Sequence, residues 1–279
     1  MKKKIGVIAL HGMGTFTPNP AVTKGGLIYS YDLYDRVSAK YGRIEFEKAA
    51  VWKEIYYGDI FDKNQAKYIE RLEADFSIGQ IRRFVIENLG DPAAYAANPT
   101  DAKNKVYAPL NKRISDALAA IEALIEPGAP VIVIAHSFGG HVFSNFVWDA
   151  QQSGSDTTEY PMANRIAGIV TFGCNIPIFT FAYGFNDVLS IKAPNRALAS
   201  KHQIETWWRN YFDVDDPLGF PLISCGKGYK LLADKNALQD HKINSGGLFS
   251  SWNPFSHSAY WNDSDISDAI TAVLKDVLN

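Results

Sequence analysis

The stretch VIVIAHSFGGHVFSNFV, residues 131–147, opens with four consecutive β-branched apolar residues, reaches Ser137, passes Gly139 and Gly140 and then changes rhythm. Phe138, Val142, Phe146 and Val147 recur at helical spacing, so Ser137 stands at a junction between a buried strand and a helix. A hydroxyl at such a junction has two uses. It caps the helix by accepting from its first free N–H groups, or it is held out of the fold as a nucleophile. The two uses make different demands on the rest of the chain.

Around this stretch, short β-branched runs alternate with longer helical patterns, the rhythm of a mostly parallel sheet covered by helices on both faces. Strands are expected at IGVIAL (5–10), within EFEKAAVWKEIYY (45–57), at VIVIA (131–135), IAGIVTFG (166–173) and IETWWRNYF (204–212), with HKI (241–243) as a short further one. The clearest helix spans 106–125, where Val106, Leu110, Ile114, Leu118, Ile121 and Ile125 form one apolar stripe that PGAP then stops. A last helix over 265–278 carries Ile266, Ile270, Val273, Leu274 and Leu278 on one side. Residues 174–201 differ: CNIPIFTFAYGFNDVLSIKAP is aromatic-rich and broken by Gly and Pro, and it reads either as a lid or pocket wall or as ordinary loop packing.

The chain has 279 residues, 47% hydrophobic and 21% charged, enough for one large α/β domain over 1–279. With 28 basic and 30 acidic residues the formal net charge is −2, which offers no broad electropositive surface for nucleic acid. Cys174 and Cys225 are far apart and form no metal or redox motif. The start, MKKKIGVIAL, is basic, but its apolar run of about six residues is short for an export signal. It reads as the first core strand of a cytoplasmic protein. No apolar segment approaches the roughly 20 residues that span a bilayer, so no membrane insertion is expected. Oligomeric state is not legible.

The strand, the serine, Gly139 two residues later and the immediate helix make a tight bend expected to expose the hydroxyl; small residues at 135 and 139 keep Cβ atoms out of it. This resembles the nucleophile elbow of the α/β-hydrolase family, Gly-x-Ser-x-Gly, with Ala135 in place of the first glycine. The resemblance implies a parallel-sheet fold and acyl-transfer chemistry at Ser137. A serine nucleophile needs a base, a carboxylate behind that base, and N–H donors for the oxyanion.

IALHGMG (8–14) sets a glycine-rich turn directly after the first strand, and it lacks the Gly-Lys-Ser/Thr of a phosphate loop. It resembles the family's oxyanion loop, which implies Met13 and Phe138 as N–H donors, with His11 shaping the loop. Among six histidines, His257 lies in SSWNPFSHSAYWND shortly before the last helix, where the family places its base; His241 is the alternative. The family's chain order puts the acid between serine and histidine. WWRNYFDVDDPLGFPL supplies Asp216 at the start of DPLG, with Asp213 as runner-up.

The chemistry expected is hydrolysis of a carboxylic ester through an acyl-enzyme, on a small-molecule ester or acyl substrate. Phe179, Phe181, Tyr183 and Phe185 are expected to supply an apolar pocket. No cofactor or metal is required: the close aspartates lack the glycine and distal glutamate of a calcium loop, and no zinc motif is present. Thioesterase, amidase and acyltransferase chemistry share the same constellation, and a catalytically silent binding domain keeps the fold without the turnover.

Overall fold

The computed structural model describes residues 1–13, 26–61, 67–70, 90, 92–96, 104–152, 161–245 and 256–279. Its centre is a six-stranded sheet of β1 (Ile5–Leu10), β2 (Ala50–Ile55), β3 (Val131–His136), β4 (Ile166–Phe172), β5 (Trp208–Asp213) and β6 (Leu238–Ile243). All five pairings are parallel and the spatial order is β2-β1-β3-β4-β5-β6. The α/β class with a parallel central sheet is therefore observed. From β1 the chain moves one way to β2 and then returns to the other side for β3. That reversal leaves a crevice beyond the carboxyl ends of β1 and β3, the place where open parallel sheets hold ligands.

Both faces of the sheet are covered. Successive side chains of a strand point to opposite faces, and the apolar residues divide accordingly. Ile8 and Leu10 of β1, with Val131 and Val133 of β3, join a core under α3 (Tyr107–Glu122) and α4 (Phe138–Gln152). Ile5 and Val7, with Ile132 and Ile134, join a second core. That core is closed by α1 (Tyr31–Tyr41), α2 (Arg43–Ala49) and α6 (Ser264–Leu278). Strands so buried on both sides read as unbroken apolar runs, which is why β1 and β3 stand out in the sequence.

Several boundaries differ from the sequence expectation. The 45–57 segment divides: its first residues complete α2, and only Ala50–Ile55 pair with β1. The strand expected at 204–212 begins at Trp208, after a turn in which Trp207 N–H donates to Glu205 O. HKI belongs to a longer strand, β6, paired with β5 along its whole length. A short helix, α5 (Lys227–Ala233), lies between β5 and β6. Residues 174–201 contain one 3-10 turn, Ile176–Thr180, and run into a second, Ser200–His202. The last helix is capped at its start by Asp263, whose carboxylate accepts from Asp265 N–H at 2.7 Å. Among the described residues no helix is long and apolar enough to cross a membrane.

Candidate active site

Ser137 connects β3 to α4 with φ at +54°, in the left-handed region that a non-glycine residue rarely occupies. Its backbone N–H is held by Phe172 O of β4 at 3.0 Å, and its carbonyl accepts from Gly140 N–H at 3.1 Å. The bend is therefore pinned from the neighbouring strand and from the helix it starts. Close approach explains Gly139: a Cβ there would lie 2.4 Å from His11 O. Gly12 is packed as tightly, since its Cβ would fall 2.7 Å from Ser137 Cβ and 3.2 Å from Ser137 Oγ. The expected exposure of the hydroxyl is not observed. Ser137 has 0% exposed surface, because the Gly12 backbone and the His257 ring lie directly on it.

The structure brings Ser137, His257 and Asp216 into one line. His257 Nε2 is 2.7 Å from Ser137 Oγ, and His257 Nδ1 is 2.8 Å from Asp216 Oδ2. An ionised carboxylate only accepts, so Nδ1 carries the proton and Nε2 is left to accept from the serine hydroxyl. Asp216 lies just beyond β5 and His257 in the single helical turn Ser256–Ala259, 41 residues further on. Burial opposes ionisation of Asp216. The hydrogen bonds from His257, the Leu218 N–H at 2.9 Å and the Tyr260 hydroxyl at 2.9 Å outweigh it and hold the carboxyl below its ordinary range.

Asp213 is engaged elsewhere. Its carboxylate accepts from Ser245 N–H at 2.7 Å and Asp215 N–H at 2.9 Å, while its own N–H donates to the Tyr260 hydroxyl at 2.9 Å. Tyr260 thus bridges the strand end and Asp216. His241 stacks on Tyr211 with ring centroids 4.7 Å apart, on β6, and makes no contact with Ser137.

Two histidines beside the line act on backbone. His136 Nε2–H donates to His257 O at 2.6 Å, and its ring lies 4.7 Å from the His257 ring. His11 Nδ1–H donates to Gly12 O at 2.7 Å, and Nε2 accepts from Tyr57 N–H at 3.2 Å. The His11 ring is stacked on Tyr57 at 4.0 Å and on Tyr56 at 5.3 Å. Burial pushes His11 down to about 4 and His136 well below the ordinary imidazole value, so both are neutral. The shaping role expected of His11 matches these contacts, whereas the hold of His136 on the His257 carbonyl arises only from the fold. The Tyr57 hydroxyl donates to His11 O, and the Tyr29 hydroxyl to Ala9 O at 2.7 Å, so the turn after β1 is braced on both sides.

Met13 follows Gly12 at the edge of the described residues, and Phe138 is the first residue of α4. The first N–H groups of a helix have no acceptor within it, which leaves Phe138 N–H suited to a developing anion. Phe179 and Tyr183 line a cavity beside α4, Tyr183 while itself largely exposed, whereas Phe181 and Phe185 are exposed outside that lining. Cys174 is buried against Gly140, and burial pushes its thiol up to about 12, which removes it as a competing nucleophile.

No family profile and no curated protein matches the chain. Among solved structures it is similar to a Xanthomonas campestris pv. campestris protein of the α/β superfamily, at 10% identity over 97% of this chain and 98% of that one, with a TM-score of 0.41. An acetylxylan esterase aligns at 10% identity over 100% of both chains with a TM-score of 0.41. The esterase PE8 aligns at 14% identity over 99% of this chain and 94% of that one, with a TM-score of 0.39. At these identities no residue role transfers, and the chemistry rests on the geometry described above.

Proposed function

We propose that the protein is a serine hydrolase that cleaves a carboxylic ester through an acyl-enzyme. The observation that carries this reading is the continuous hydrogen-bonded line from Ser137 through His257 to Asp216, placed against the Gly12 backbone at the reversal of strand order. A serine that only capped α4 would need neither an imidazole at 2.7 Å nor a carboxylate behind it.

In the proposed reaction His257 Nε2 takes the Ser137 proton as Oγ attacks the ester carbonyl. Asp216 keeps the proton on Nδ1 and stabilises the imidazolium that forms. The N–H groups of Met13 and Phe138 receive the oxyanion, a contribution of about 3–4 kcal/mol per donor where it has been measured in such sites. His257 returns its proton to the departing alkoxide, the ester C–O bond breaks, and water repeats the sequence to release the acid.

The test is turnover of short p-nitrophenyl esters together with fluorophosphonate labelling. Hydrolysis is expected in the wild-type chain and absent in Ser137→Ala and His257→Ala. Labelling of Ser137→Ala to the wild-type extent would remove this residue from the mechanism.

A further inference from the structure

Beside α4 lies a cavity of about 340 Å³, within the roughly 300–1,000 Å³ typical of small-molecule sites. His141 and Trp148 face it from α4, seven residues apart and hence on one side of the helix. Phe179 and Tyr183 reach it from the loop after β4, and Tyr229 from α5. The ring of Phe138, the residue after Ser137, lies 5.9 Å from both the His141 and Phe179 rings.

The charge of the lining is one-sided. Among its described residues Asp187 is the one carboxylate, and no lysine or arginine is present. Asp187 is exposed at the mouth and forms no ion pair among the described residues. His141 adds no positive charge: its ring is stacked on Phe179 at 3.8 Å and its Nε2 accepts from Asn145 Nδ2–H at 3.2 Å. Burial pushes that imidazole down to about 3. Among the described lining residues an anion meets an unpaired carboxylate and aromatic rings, and no cationic side chain offsets them. A cation meets two attractions.

We propose that this cavity binds an organic cation, a substituted ammonium on a compact apolar body, held among Trp148, Phe179, Tyr183 and Tyr229 with Asp187 at its entrance. Water solvates an ammonium of this kind weakly because alkyl groups shield it, so little is lost when the rings replace its hydration. The site does not depend on the ester reading, and it is tested in a Ser137→Ala chain in which the proposed turnover is absent.

Three probes of the same branched shape separate charge from bulk: choline, 3,3-dimethylbutan-1-ol and 3,3-dimethylbutanoate. Binding is followed by ligand-observed NMR and by Trp fluorescence at up to 10 mM. Choline is expected to bind at least about threefold more tightly than the neutral alcohol, and the carboxylate most weakly. Asp187→Asn, at an exposed position, should narrow the choline preference, and Trp148→Leu should weaken choline more than the alcohol. Equal affinity for choline and the alcohol overturns the proposal. So does a preference unchanged in Asp187→Asn, or no binding of choline at 10 mM.

Discussion

The imidazole of His136 donates from Nε2 to the backbone carbonyl of His257, 2.6 Å away, so the residue that precedes the serine holds the residue that faces it. The two are 121 positions apart in sequence. Replacing His136 by Phe keeps the aromatic packing against Phe172 and Trp261 and leaves His257 O without its donor. The cost of an unpaired buried carbonyl is about 1–3 kcal/mol. The expected outcome is a fall of roughly 10- to 100-fold in kcat with KM little changed. Steady-state kinetics on a soluble ester decide it, and a change confined to KM would refute the clamp.

The two aspartates after β5 should respond differently. Asp216→Asn removes the acceptor that keeps the proton on His257 Nδ1, and kcat should drop about 10⁴-fold with the fold intact. Asp213→Asn disturbs the Ser245 and Asp215 N–H bonds instead. It should lower the urea midpoint, by about 1–3 kcal/mol of stability, and leave most of the activity. The reverse pattern would make Asp213 the working acid.

A methyl group at position 139 has nowhere to go, because the atom 2.4 Å away is the His11 carbonyl oxygen, part of the main chain. Gly139→Ala should cost about 1–3 kcal/mol and slow fluorophosphonate labelling as β1 and α4 are forced apart. Wild-type stability and labelling in this variant would contradict the packing of the bend.

Acid should weaken the fold before it protonates the carboxylates. His11 and His136 are held neutral by burial, with His11 down at about 4, while in the unfolded chain each takes up a proton near 6.5. The unfolded state then binds more protons, so stability falls as pH drops below 6.5, by about 1.4 kcal/mol per unit for each histidine. For His11 the loss ends near pH 4, at an order of 3 kcal/mol. Asp216, held below its ordinary range, adds a further loss only below pH 4. Urea titrations from pH 7 to 4.5 measure the slope, and His11→Gln should remove one proton from it. An unchanged slope in that variant would refute a neutral His11.

Much of this arrangement is legible in the chain because local pattern and long-range position coincide there. β1, β3 and α4 are readable since each buries a continuous face, and an apolar run or a helical stripe records it directly. α2 and β2 are not separable by eye, because EFEKAAVWKEI passes from helix to strand without a glycine or proline. Ser137, His257 and Asp216 are named through a recognisable bend and an order along the chain. His136 and Tyr260 escape such reasoning, since the work of each is to touch a group brought near only by folding: the His257 carbonyl in one case, Asp216 and the Asp213 N–H in the other. Sequence has no local mark for a contact of that kind.

The positive φ of Ser137 has a consequence for how this molecule tolerates change. Glycine would occupy that backbone well at ease, whereas serine is held there against a penalty on the order of 1 kcal/mol. A chain with glycine at 137 relieves that tension while surrendering its hydroxyl. Backbone comfort and the side-chain oxygen are opposed at one residue, so a drift toward thermal robustness favours losing that oxygen.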